Sequence, residues 1–70
     1  MTLLQYRRLN EMTLMAISKK LGVEQSTICL IENGKRFPKP DLIHRIQVLT
    51  KNSVTAQDIF DNYKKLNKLK

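Results

Sequence analysis

Apolar residues along this chain recur at intervals of three and four rather than two, the spacing of helices and not of strands. Turn-forming residues fall at Gly22, at Asn33-Gly34, at Pro38 and Pro40, and at Asn52-Ser53, and they cut the chain into five segments. The pattern predicts an all-α fold, a compact bundle of five short helices. The first spans roughly Thr2 to Glu11 and sets Leu3, Tyr6 and Leu9 or Asn10 along one side. The second begins at Thr13, a good amino-terminal cap, and repeats Leu14, Ile17, Ser18 and Leu21 until Gly22 turns the backbone into left-handed geometry. The third follows within three residues, holds Ile28 and Ile31 inward, places Gln25, Ser26, Cys29 and Leu30 on other faces, and stops at Asn33-Gly34.

Lys35 to Pro40 reads as a stiff basic connector, because each proline fixes φ and biases its predecessor toward extended geometry. Pro40 then opens a fourth helix with Asp41 near its positive end and Leu42, Ile43, Ile46 and Leu49 as its apolar stripe. Thr55 and Asp58 have the spacing of a capping box for a fifth helix, whose stripe is Ile59, Phe60, Tyr63 and Leu66. Lys64, Lys65, Lys68 and Lys70 make a basic tail. The expected organisation is one domain over residues 1–62, with 63–70 as a tail that can extend the fifth helix.

The second and third segments form a helical corner. Ile17, Ser18, Leu21, Gly22, Val23, Ile28 and Ile31 stand where two helices meeting steeply need apolar, small or glycine residues. Such a helix-turn-helix from Thr13 to Lys35 also occurs in proteins that never touch nucleic acid, so charge matters to the reading. Thirteen Lys and Arg stand against six Asp and Glu, a formal charge of +7. That excess points to a polyanionic partner.

Over Leu3 to about Phe60 the chain resembles the Cro/repressor-type (XRE) helix-turn-helix family, most closely in the stretch LGVEQSTICLIENGKRFP. The resemblance implies a lambda-repressor-like bundle acting as a sequence-specific regulator of transcription, a repressor bound to double-stranded DNA as a homodimer. It implies base contacts from Gln25, Ser26, Thr27 and Leu30, backbone contacts from Thr13, Asn33, Lys35 and Arg36, and an internal ion pair between Arg7 and Glu32. The side chains suit those roles: Gln can pair with adenine N6 and N7, hydroxyls donate or accept, and Leu30 can pack on a thymine methyl. Two positions depart from the family pattern, and the Pro38-Lys39-Pro40 connector and the Thr50 to Thr55 loop differ from it in length. Leu14 replaces a common Gln, and Glu24 stands where Ser or Thr usually caps the third helix.

A protein-interaction module, such as an antitoxin or adaptor gripping its partner through the fifth helix, is the alternative reading. Tyr63 and Leu66 lie past what five short helices need to bury and are the expected homodimer contacts. Cys29 is the only cysteine and His44 the only histidine, which suits neither a metal site nor a disulfide framework. No enzyme activity, cofactor, small-molecule ligand or membrane span is expected, and a cytoplasmic setting fits the lone thiol.

Overall fold

Each predicted segment is helical in the computed structural model, which describes residues 1–68. The helices are α1 (Leu3–Leu9), α2 (Leu14–Leu21), α3 (Gln25–Glu32), α4 (Pro40–Leu49) and α5 (Ala56–Asn67), with no strand among the described residues. Of the basic tail, Lys64 and Lys65 belong to α5 and Lys68 ends it, while Lys70 lies outside the described residues.

The starts of the helices follow local chemistry. Thr13 Oγ1 accepts the Ala16 N–H at 3.0 Å to open α2. Thr55 Oγ1 accepts the Asp58 N–H at 3.1 Å while Asp58 Oδ2 accepts the Thr55 N–H at 3.1 Å, which completes the capping box of α5. A second such box, between Thr2 and Gln5, opens α1. Pro40 occupies the first turn of α4, where its missing N–H costs nothing.

Four helices close in the same way, with a residue of positive φ whose N–H and whose successor's N–H return to the last turn. After α2 and α3 that residue is a glycine, Gly22 (φ +73) and Gly34 (φ +72). After α1 and α4 it is Glu11 (φ +53) and Lys51 (φ +52), which pay a Cβ strain that glycine avoids. The closing bonds are the same at both kinds of end: Met12 N–H donates to Arg7 O at 2.9 Å and Asn52 N–H to Gln47 O at 2.8 Å.

The core gathers Ile17 and Leu21 of α2, Ile28 and Ile31 of α3, Leu42 and Ile46 of α4, Ile59 of α5, and Leu3 of α1. Val54 joins them at full burial although it lies in the loop between α4 and α5. The loop is pinned there by Thr50, whose hydroxyl donates to Ile46 O at 2.8 Å and accepts the Val54 N–H at 3.1 Å. One inward assignment is corrected. Leu9 is 71% exposed, and Asn10 is exposed as well. With α1 only seven residues long, Arg7 rather than Leu9 fills the inward position near its end, and the Asn10 amide donates to Tyr6 O at 2.9 Å.

Candidate nucleic-acid interface

The corner is built by α2, the three residues Gly22 to Glu24, and α3. Ser18 is buried at the junction and its hydroxyl donates to Met15 O at 2.9 Å, so the small side chain satisfies itself within its own helix. Gly22 and Val23 send their N–H groups back to Lys19 O and Ser18 O at 3.3 and 3.0 Å. From α4, Arg45 Nη1 donates to Leu21 O at 3.2 Å, while its Nη2 lies 3.0 Å from Asp41 Oδ2. The carbonyl end of α2 is therefore held by its own turn and by α4.

Ile28 and Ile31 bury one side of α3. At about 100° per residue, the opposite side runs through Ser26, Asn33 and Cys29, with Gln25 at its edge, all four exposed. Leu30 and then Thr27 follow on the side away from Gln25, and both are half-buried. Thr27 turns toward a cleft of about 480 Å³ whose other walls include Val23, Arg36, Phe37 and Leu42. Cys29, which the base-contact assignment omits, thus sits nearer the middle of the exposed face than Thr27 does. The positions of Ile28 and Ile31 alone would have located it.

The start of α3 has little local restraint. Glu24 precedes it and makes no side-chain capping bond; its carbonyl accepts the Thr27 N–H at 3.1 Å, so the N–H groups of Gln25 and Ser26 are the ones left without an acceptor. The end is the reverse. Arg7 Nε donates to Glu32 Oε2 at 2.7 Å and Nη2 to Oε1 at 3.0 Å, a two-pronged pair, and Nη1 donates to Met12 O at 3.2 Å. The bond to Glu32 raises the Arg7 pKa further above its ordinary value. The pair is mostly buried and ties α1, the loop before α2 and the last turn of α3 into one unit.

Beyond Glu32, Gly34 N–H donates to Ile31 O at 3.1 Å and Lys35 N–H to Leu30 O at 2.9 Å. α5 then closes over this turn. Asn67 Nδ2 donates to Gly34 O and to Tyr63 O, each at 2.7 Å. A methyl group on Gly34 would sit 2.6 Å from Leu66 Cβ, so the glycine is required by contact as well as by its positive φ.

The chain matches no family model, and no curated protein or solved structure matches it significantly. The candidate surface therefore stands on its own geometry.

Of the residues assigned to phosphate, Lys35 and Arg36 are exposed directly after α3. Thr13 is exposed at the start of α2 with its hydroxyl oxygen already accepting from Ala16. Asn33 is engaged at home, since Nδ2 donates to Cys29 O at 2.8 Å and lies 3.4 Å from Cys29 Sγ. Its first role is to finish α3. The dimer assignment rested on Tyr63 and Leu66 lying beyond the core, and both turn out to make contacts within the chain. Tyr63 is half-buried, with its ring 5.4 Å from that of Phe37, and Leu66 covers Gly34. Phe37 meets Phe60 edge-on at 6.2 Å as well, and Phe60 and Leu66 remain about half exposed. The sole histidine, His44, is exposed on α4, and no cluster of three potential metal ligands occurs among the described residues.

Proposed function

We propose that this protein is a double-stranded DNA-binding transcriptional regulator that inserts the first turns of α3 into the major groove, using the corner of α2 and α3 as a helix-turn-helix. The observation that carries the reading is the exposed row of Gln25, Ser26 and Cys29 on a helix whose opposite face is buried, followed at once by Lys35 and Arg36. Gln25 and Ser26 read base edges, with Thr27 and Leu30 contacting from one flank. Lys35, Arg36 and the outward N–H groups at the starts of α2 and α3 hold phosphates and set the register. The likeness of LGVEQSTICLIENGKRFP to the Cro/repressor-type family supports the same docking.

One recognition helix reads too few base pairs to define a site, so the reading includes a homodimer on a palindrome; action as a repressor comes from the family likeness. The role is binding without chemistry. Cys29 has the Asn33 amide as its hydrogen-bond neighbour, a group that cannot take its proton. A cytoplasmic setting, where that thiol stays reduced, belongs to the same reading.

Selection from random duplex DNA tests it. The wild-type chain is expected to enrich a short motif, and Gln25→Ala with Ser26→Ala to lose that preference while keeping weak, salt-sensitive affinity. Wild-type affinity should fall on the order of a thousandfold between 50 and 200 mM salt if six phosphates are neutralised. A double variant that enriches the same motif as wild type would place sequence reading elsewhere.

A further inference from the structure

We propose that the carboxy-terminal half of α5 is a second phosphate-binding arm, in which Lys64, Lys65 and Lys68 continue the backbone contact begun by Lys35 and Arg36. The inference rests on the DNA-binding reading above and extends it to a helix that the corner does not include.

Three observations join the two basic groups. First, α5 is fastened to the end of α3 by the bond from Asn67 to Gly34 O and by Leu66 lying over Gly34. Lys35 accordingly shares one surface depression with Tyr63, Leu66 and Asn67. Second, an aromatic pair joins the segment after α3 to Lys64. Phe37, next to Arg36 in the chain, meets Phe60 edge-on, and Lys64 Nζ lies 5.4 Å from the Phe60 ring centre. That cation–π contact favours one placement of an otherwise free ammonium group.

Third, Lys64, Lys65 and Lys68 line one open groove together with Asp61. None of the three lysines forms an ion pair among the described residues, and Asp61 Oδ1 already accepts from Gln57 Nε2 at 2.8 Å. The groove is thus a cationic surface with its one acid partly engaged. Lys64 and Lys68 are one turn apart, about 6 Å along the axis. That span covers about two phosphates of a strand at 3.4 Å of axial spacing each. Lysines near a helix carboxyl end also complement its dipole, but that needs no aromatic pair and no continuity with Lys35.

The test compares salt dependence of binding to the selected duplex by the full chain and three variants. Lys64→Gln, Lys65→Gln and Lys68→Gln together are expected to reduce the slope of log affinity against log salt by about 2 to 3, with the preferred motif unchanged. Lys19→Gln, Lys20→Gln and Lys51→Gln remove the same charge from the end of α2 and the turn after α4, and should change the slope by less than about 1. Asp61→Asn should tighten binding several-fold at low salt. Equal slope losses in the two triple variants, or none in the α5 triple, would overturn the arm while leaving base reading by α3 intact. A wild-type chain that enriches no motif, with the α5 triple still lowering the slope measured on a random-sequence duplex of the same length, would instead remove the base reading and keep the arm.

Discussion

The two ends of α3 are made in opposite ways. Its last turn is gripped by Arg7 from α1, closed by Gly34 and Lys35, and covered by Leu66 and Asn67 of α5. Its first turn has only Glu24 before it, no side-chain cap, and exposed Gln25 and Ser26. The difference teaches how a short helix can be both anchored and available: restraint is concentrated at its last turn, and polar groups are left open at its first, where a ligand could supply the missing partners. An amino end lacking a strong cap loses about 1 kcal/mol relative to Ser or Asp, whereas removing one partner of the buried pair at the other end costs about 3 kcal/mol.

Breaking the anchored end should have the largest effect. Arg7→Ala leaves Glu32 mostly buried without its partner and is expected to cost about 3 kcal/mol in urea unfolding, a large share of the roughly 5–10 kcal/mol a small domain has. If Arg7→Ala unfolds at the wild-type urea concentration, the anchor lies elsewhere. Gly34→Ala comes next, at about 2 kcal/mol, because left-handed backbone is strained with a Cβ and Leu66 must move aside. A Gly34→Ala chain as stable as wild type would show that α5 does not press on this turn.

The open end should respond with the other sign. Glu24→Ser supplies the missing cap and is expected to stabilise by about 1 kcal/mol, and, on the proposed docking, to strengthen DNA binding by removing a carboxylate that phosphate would repel. Gln25→Ala with Ser26→Ala should stay within about 0.5 kcal/mol of wild type, since neither side chain is buried. Loss of stability there would mean that the two ends are not divided as described.

The smallest effect concerns the start of α5, the helix that clamps the anchored end. The Thr55 N–H, and then the Met1 amino group 3.1 Å away, hold the Asp58 carboxyl below its ordinary value. A folded pKa lower than the unfolded value of about 3.9 gives stability that is present above that value and lost as pH falls through the folded one. The acid side of the stability profile should therefore be shallower in Asp58→Asn than in wild type. Superimposable profiles below pH 4 would separate the cap from acid unfolding.

Much of the fold was legible because its signals are local. Thr13, Pro40 and the Thr55–Asp58 pair mark helix starts, and Gly22 and Gly34 mark ends, by chemistry that acts within four residues. Glu11 and Lys51 carry no such mark, since the tertiary structure places ordinary residues in glycine's conformation. Val54 was hidden because a loop residue has no periodicity, and its burial depends on the Thr50 hydroxyl. The Arg7–Glu32 pair was reached through resemblance and not through spacing, as the partners are 25 residues apart. On the candidate surface, Gln25 and Ser26 were readable from the buried positions of α3. The contacts of Tyr63 and Leu66 with Phe37 and Gly34 were not, because they join segments about thirty residues apart that no pattern in either one specifies.

The central claim, that the open end of α3 reads bases, is tested most directly by following backbone amide signals as the selected duplex and a scrambled duplex of equal length are added. The amides of Gln25, Ser26 and Cys29 should shift strongly with the selected duplex and little with the scrambled one, while Lys35, Arg36 and Lys64 respond to both. Shifts at Gln25 and Ser26 that are the same for both duplexes, or absent from both, would contradict it.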